Sequence, residues 1–186
     1  MSSIYSSELY MSDIRTAFLN TINSQKLQGK SVVITGATGL IGSFIVDMLM
    51  YANETLNYKI NVYAVGRNIG RLQDRFVVYI NNIYFHAIEQ NVNDMVHFSF
   101  HADYIIHAAG NSYPAVFKQD PVGTITSNIY GTHNLLNYAK ETNAEKFLFV
   151  SSGEIYGQHN YDACKENDSG YVNPMEVRSC YPASKR

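Results

Sequence analysis

Residues 32–42 read VVITGATGLIG. An apolar run, Val32-Val33-Ile34, gives way to a turn in which Gly36, Gly39 and Gly42 recur every third position, and residues 43–52 behind it have helical character. The pattern is a strand, a tight glycine-rich turn and a helix whose N-terminus faces open space. Such a turn suits a pyrophosphate: glycines let the backbone approach closely, and free N–H groups and the helix dipole favour an anion. Glycines at this spacing also mark ordinary turns, so the reading needs support from the rest of the chain.

That support comes from alternation. Strands are expected at residues 31–35, 60–65, 83–88, 104–108 and 146–151. Between them, residues 40–52 carry Ile41, Ile45, Met48 and Leu49 at helical spacing, residues 69–82 carry Leu72, Phe76 and Ile80, and residues 121–143 carry Ile125, Ile129, Leu135, Leu136 and Ala139. Short apolar strands alternating with helices imply βαβ units and a parallel sheet covered on both faces, a Rossmann-type doubly wound α/β fold. Residues 31–186 are expected to form this dinucleotide-binding domain, with residues 1–30 as an N-terminal helical extension. In the extension, Ser12 or Asp13 caps a helix with Ile14, Phe18 and Ile22 on one face, packed outside the domain or used as an oligomer contact. Residues 157–178 form a long polar loop beyond the fifth strand, on the edge where open α/β sheets bind ligands.

Composition narrows the function classes. The chain has 186 residues, 46% hydrophobic and 16% charged, which is one domain with an adequate core and excludes disorder. A net charge of −2 leaves no basic surplus for nucleic acid and no lysine-rich face for a membrane. Apolar runs are too short to span a bilayer, and the N-terminus lacks the basic and apolar regions of a signal peptide. Cys164 and Cys180 have neither metal spacing nor a disulfide framework, so a reduced, cytoplasmic compartment is expected and no metal. The 15 tyrosines have no account in the sequence itself.

Three features converge at the C-terminal ends of strands: the glycine turn, the run SSGEIYG at residues 151–157, and YPASK at residues 181–185. Tyr181 and Lys185 lie four apart, which on a helix puts phenol and ammonium on one face. A nearby cation favours phenolate and draws the phenol toward the working range of a general base. With Ser152 orienting the same substrate hydroxyl, the set suits hydride chemistry beside a nicotinamide.

Taken together, TGATGLIG, HAAGNSYP, DPVGTITSNIYGT, FLFVSSGEIYG and YPASK resemble the extended short-chain dehydrogenase/reductases that modify nucleotide sugars, the NAD-dependent epimerase/dehydratase family. The run GYVNP at residues 170–174, then Arg178-Ser179-Cys180-Tyr181 and Lys185-Arg186, most resembles the UDP-glucuronate decarboxylases (UDP-xylose synthases) within it. The resemblance implies NAD as cofactor, bound by Gly36, Thr38, Gly39, Leu40, Ile41, Gly42, Asn91, Val92, Ala108, Ala109, Gly110, Asn128, Tyr181 and Lys185. It implies Ser152, Tyr181 and Lys185 as catalytic residues, with Glu154 acting on a C5 proton or positioning the sugar. It also implies a nucleotide-sugar substrate and, at full length, a homodimer.

Three departures bear on this. Gly153 stands where dTDP-glucose dehydratases carry an acidic aspartate, which disfavours that activity. Arg67 ends the second strand where NAD-preferring members carry an acid; it either pairs with the 2′-phosphate of NADP or is a solvated loop arginine. Asn91 replaces an aspartate that often holds the adenine amino group, a bond an asparagine carbonyl can still accept.

His107 reads as a satisfied core histidine, and Asp162, Lys165, Glu166 and Asp168 as solvated loop charges. Cys180 has nothing beside it in sequence that stabilises a thiolate. Relatives of this kind continue past the Tyr–Lys helix into a substrate domain, so the 186 residues are expected to be the N-terminal part of a longer enzyme with little turnover alone. The expected reaction runs through a 4-keto sugar to decarboxylation, with 4-epimerisation or 4,6-dehydration as alternatives. Rivals are a non-catalytic dinucleotide-binding regulator and a reductase of small carbonyl compounds.

Overall fold

The computed structural model describes residues 4–159 and 163–186, so Asp162 lies outside the described residues. Five parallel strands, β1 (Ser31–Thr35), β2 (Asn61–Gly66), β3 (Phe85–Glu89), β4 (Tyr104–His107) and β5 (Lys146–Phe149), form one sheet in the order β3-β2-β1-β4-β5. The order reverses between β1 and β4, which opens a crevice at the C-terminal ends of those strands.

Residues on β1 alternate between two cores. Val32 and Ile34 join Val46, Leu49 and Met50 of the helix α2 (Leu40–Leu56), while Val33 joins Leu135 and Tyr138 of α5 (Pro121–Glu141). The sheet is therefore apolar on both faces, as parallel sheets require. At the β5 edge, Leu148 remains 54% exposed. No helix among the described residues is long and apolar enough to cross a membrane.

Element boundaries differ from the sequence expectation where local chemistry intervenes. The first helix, α1 (Glu8–Leu19), starts earlier than expected, because Ser7 is the cap and its Oγ accepts the Tyr10 N–H at 3.3 Å. Ser12 and Asp13 lie inside it, and Ile22 lies beyond its end, 87% exposed. Ile14 and Phe18 are buried as expected; burial of Phe18 contributes about 1.5–3 kcal/mol. In residues 69–82 the helix α3 (Ile69–Arg75) stops early: Phe76 turns out of helical geometry and a 3-10 turn, Val77–Tyr79, follows.

The α5 stripe is also displaced from the expected one. Thr124, Asn128, Gly131, Leu135 and Tyr138 face inward, whereas Ile125, Ile129 and Leu136 are 38–49% exposed. One helix was not anticipated, α4 (Pro114–Gln119); its signal was Pro114, a residue suited to the first helical position. The last, α6 (Cys180–Lys185), carries the Tyr–Lys pair.

The extension is bolted down by a polar cluster. Asp47 of α2 is fully buried and accepts from Tyr5 Oη at 2.9 Å, from Tyr10 Oη and from Arg75 of α3. Arg75 also donates to Tyr5 Oη at 2.5 Å and to Tyr10 Oη at 2.9 Å. Tyr51 and Tyr58 pack against Phe18, and Tyr79 against Tyr5, which accounts for several of the tyrosines.

Candidate active site

The glycine turn links β1 to α2 directly under the end of β4. Gly36 has φ +67°, and a Cβ there would sit 2.6 Å from the Ala108 carbonyl oxygen. A Cβ on Gly42 would sit 2.4 Å from the Gly36 oxygen, so helix and turn close only without side chains. Gly39 is the N-cap of α2 and supplies no capping side chain. The first amides of α2 therefore lack intrahelical acceptors and face the crevice with the positive end of the helix dipole.

Two adjoining cavities run along this crevice. The first, ≈ 320 Å³, is lined by Gly36, Thr38, Gly39, Gly66, Arg67, Asn91, Val92, Ala108, Ala109 and Gly110. The second, ≈ 350 Å³, shares Gly36, Gly39, Ala108 and Gly110 and adds Leu40, Ile41, Gly42, Ser151, Tyr181 and Lys185. Each falls in the size range of small-molecule sites. Together they fit a dinucleotide: a backbone cradle under the phosphates, a polar far end at Arg67 and Asn91, and a Tyr–Lys pair at the near end.

Tyr181 is 7% exposed and stacks on Phe117 of α4, ring centroids 4.2 Å apart at 10°. Lys185 donates from Nζ to the Val150 carbonyl at 2.9 Å, with that nitrogen 4.2 Å from the centroid of the Phe149 ring. Burial brings the Lys185 ammonium down to about 8.

Three of the sequence-predicted residues do not line the groove. Ser152 turns its Oγ toward its own loop, accepting the Glu154 N–H at 3.2 Å, and its neighbour Ser151 lines the cavity instead. Glu154 sits in an adjacent cavity, paired with Arg178 at 2.9 Å. Asn128 is 1% exposed beneath Gly110, its Nδ2 donating to Ser184 Oγ at 2.8 Å and its Oδ1 without a partner.

Sequence reasoning missed Gln90, Asn93, Asn111, Asp120 and Ser127 in the first cavity and Val150 in the second. Val150 acts through its carbonyl, which leaves no mark on residue identity. The Glu154–Arg178 pair joins positions 24 residues apart, beyond any local pattern.

Other residues fall into place around the groove. His107 is in the core as expected but only half satisfied: Nδ1 is 2.8 Å from Thr35 Oγ1, whereas Nε2 has no partner. Burial, with the Lys185 charge second, brings His107 down to about 4. Lys165 and Glu166 are exposed, and Asp168 accepts the Lys165 N–H at 2.7 Å. Burial pushes the Cys180 thiol up, and both cysteines are free. The long loop closes on itself at an antiparallel bridge between Gln158 and Tyr171.

Residues 32–186 match the model of the NAD dependent epimerase/dehydratase family. The chain is 35% identical over 161 residues to UDP-glucuronic acid decarboxylase 2 of Arabidopsis thaliana, covering 87% of this chain and 34% of that protein. It is 34% identical over 177 residues to UDP-glucuronic acid decarboxylase 4 of the same plant, covering 95% of this chain and 38% of that protein. The chain thus spans a little over a third of the length of these relatives. Among solved structures, UDP-glucose-4-epimerase from Stenotrophomonas maltophila, with bound NAD and formylated UDP-arabinopyranose, shares the fold at TM-score 0.65 and 18% identity, over 84% of this chain and 45% of that one.

Proposed function

Since this chain belongs to the NAD dependent epimerase/dehydratase family, we propose that its groove holds NAD and that the protein acts on a nucleotide sugar through a 4-keto intermediate, foremost as a UDP-glucuronate decarboxylase. The observation that carries the reading is the presence of Tyr181 and Lys185 in one cavity with the glycine turn. The named decarboxylase relatives support the substrate.

Bound NAD would accept the hydride from the sugar C4–H and return it later. Tyr181, as phenolate, takes the C4 hydroxyl proton as C4 becomes a ketone. Lys185, held by Val150, keeps an ammonium beside that phenolate. Ser152 Oγ faces its own loop, where it accepts the Glu154 N–H, so in this scheme it must turn into the groove before its proton can reach the sugar oxygen. The new 4-keto group stabilises the carbanion left when the C5–carboxylate bond breaks and CO2 departs. Glu154 lies outside the groove in a cavity of its own, paired with Arg178, so a role in positioning the sugar near C5 requires that the sugar extend toward that pair. Protonation at C5 by a solvent water and return of the hydride to C4, with the Tyr181 proton going back to oxygen, complete a cycle that consumes one proton from solvent and no net nicotinamide.

A second reading, 4-epimerisation or 4,6-dehydration, shares the first oxidation and differs only in the fate of the ketone. Gly153 favours decarboxylation over dehydration because it supplies no acid. A homodimer and a cytoplasmic location go with the proposal, supported by exposed Ile125 and Ile129 on α5 and by two unpaired cysteines.

The test is incubation of the full-length protein with UDP-glucuronate, UDP-glucose, dTDP-glucose and GDP-mannose in the presence of NAD. CO2 release without net absorbance at the NADH band is expected from the first. A stable keto sugar would move the protein to the dehydratases, and net NADH formation or consumption would reject a closed cycle. Tyr181→Phe abolishes turnover in this scheme; unchanged activity removes Tyr181 from it. Titration with NAD and NADP decides whether Arg67, exposed at the rim, reads a 2′-phosphate.

A further inference from the structure

We propose that His107 is a positioning residue of the groove: through Thr35 it fixes the Ala109 amide beneath the cofactor, and through its own carbonyl it fixes the strand end that anchors Lys185. The cofactor half of this inference rests on the NAD reading above.

His107 and Thr35 are the last residues of β4 and β1, face each other in register, and are both 0% exposed. Their side chains meet at 2.8 Å across the point where the strand order reverses. Thr35 Oγ1 also accepts the Ala109 N–H at 3.3 Å, and its backbone oxygen accepts the Ala108 N–H at 3.2 Å. The turn that lines both halves of the groove therefore hangs from Thr35. Clearance there is small, because Gly36 already packs against the Ala108 carbonyl. A rotation of the Thr35 hydroxyl would release the one side-chain acceptor holding Ala109.

The other arm runs through the main chain. The His107 carbonyl accepts the Val150 N–H at 3.0 Å, and the Val150 carbonyl accepts Lys185 Nζ at 2.9 Å. The imidazole packs 5.5 Å from the Phe149 ring, and that ring lies against the Lys185 ammonium. One side chain thus touches both the cofactor floor and the aromatic support of the lysine. Nε2 has no hydrogen-bond partner and lies against the space beside Gly131. A buried polar atom without a partner is costly. Simple packing would be served as well by phenylalanine, so the nitrogen that does bond Thr35 is the reason for a histidine here.

The experiment uses matched variants of the chain. Thr35→Val removes the hydroxyl at constant volume, His107→Phe keeps the ring without nitrogens, and His107→Asn returns an amide near the Nδ1 position. Loss of one buried hydrogen bond should raise the NAD Kd roughly three- to tenfold in Thr35→Val and His107→Phe, with His107→Asn within about twofold of the parent. The Thr35→Val/His107→Phe double variant should be no weaker than the worse single one, since both cut the same link. Hydrogen exchange at the Ala109 amide should accelerate in the same two variants without cofactor. If His107→Phe does not fold, Thr35→Val against Thr35→Ser, which keeps the hydroxyl, carries the comparison. Parental affinity and parental Ala109 protection in Thr35→Val and His107→Phe would overturn the proposal, as would additive losses or failure of His107→Asn to rescue. If the parent binds no NAD, the cofactor reading falls and Ala109 exchange alone decides the link.

Discussion

Replacing Arg75 by leucine removes the cation from a carboxylate that has no exposure. Asp47 is 0% exposed and its oxygens are taken by Tyr5, Tyr10 and Arg75. Breaking a buried pair from one side leaves the other charge uncompensated, which costs about 3–5 kcal/mol. The two phenols retain part of the solvation, so the lower end of that range is expected. Asp47→Asn in the same background removes the stranded charge and should recover part of the loss. Its one oxygen still accepts from one tyrosine, and its NH2 must donate to the hydroxyl oxygen of the other, because Tyr5 and Tyr10 bond different oxygens of Asp47. Tyr10→Phe removes a single bond to the carboxylate, worth about 1.5–3 kcal/mol. Urea unfolding with linear extrapolation reads all three variants, and the loss should persist in 0.5 M salt because the pair is buried. A loss below about 1 kcal/mol for Arg75→Leu, or additive losses in the double variant, would mean that α1 is held by its apolar face alone.

Gly36→Ala should abolish NAD binding, since a methyl 2.6 Å from the Ala108 oxygen at φ +67° forces the turn and the β4 end apart; calorimetric affinity within about twofold of the parent would refute the cradle. For Lys185, burial places the ammonium at about 8, below its ordinary 10.5, so the charge beside Tyr181 is lost as pH rises through that value. For the proposed reaction of the full-length protein, kcat/KM should fall above about pH 8, and a limb near 10 would contradict this. His107 has the opposite consequence for stability: its folded-state value, about 4, lies below the ordinary 6.5, so the unfolded chain takes up the proton first as pH falls. Its contribution is complete above 6.5 and declines by about 3 kcal/mol between 6.5 and 4; His107→Phe should flatten that part of the curve, and an unchanged slope would argue against a buried neutral imidazole.

The strands were legible because each is a short apolar run bounded by turn residues, and β1 matches its expected range, Ser31–Thr35. The inward face of α5 was not. Its sheet-facing stripe holds Thr124, Asn128 and Gly131, which a search for apolar periodicity passes over in favour of Ile125 and Ile129. Polar residues face inward there because they lie under the groove. The serine turn misled in a different way. The fifth strand ends at Phe149, two residues before expectation, so side-chain alternation does not carry through to Ser151 and Ser152. The tyrosines at 5 and 10 were opaque because their partner Asp47 is 37–42 residues away.

The groove is better specified on one wall than on the other, and this bears on the reaction. Its floor and cofactor side come from four strand ends, with Gly36, Gly66, Asn91 and Ala108 in one cavity. The facing wall comes from Ser151, Tyr181 and Lys185, with the Glu154–Arg178 pair alongside. In the proposed reaction, oxidation at C4 needs only the first wall and the Tyr–Lys pair, and that step is common to decarboxylation, epimerisation and dehydration. The branch is decided by what stands near C5 and C6. At Gly153 a Cβ would meet nothing within 4 Å, so the missing acid is a matter of residue identity and not of space. Glu154, one residue on, is tied to a guanidinium instead of standing free as an acid. A wall that offers a paired carboxylate and no second acid is suited to letting a carboxylate leave, and less suited to protonating a departing hydroxyl.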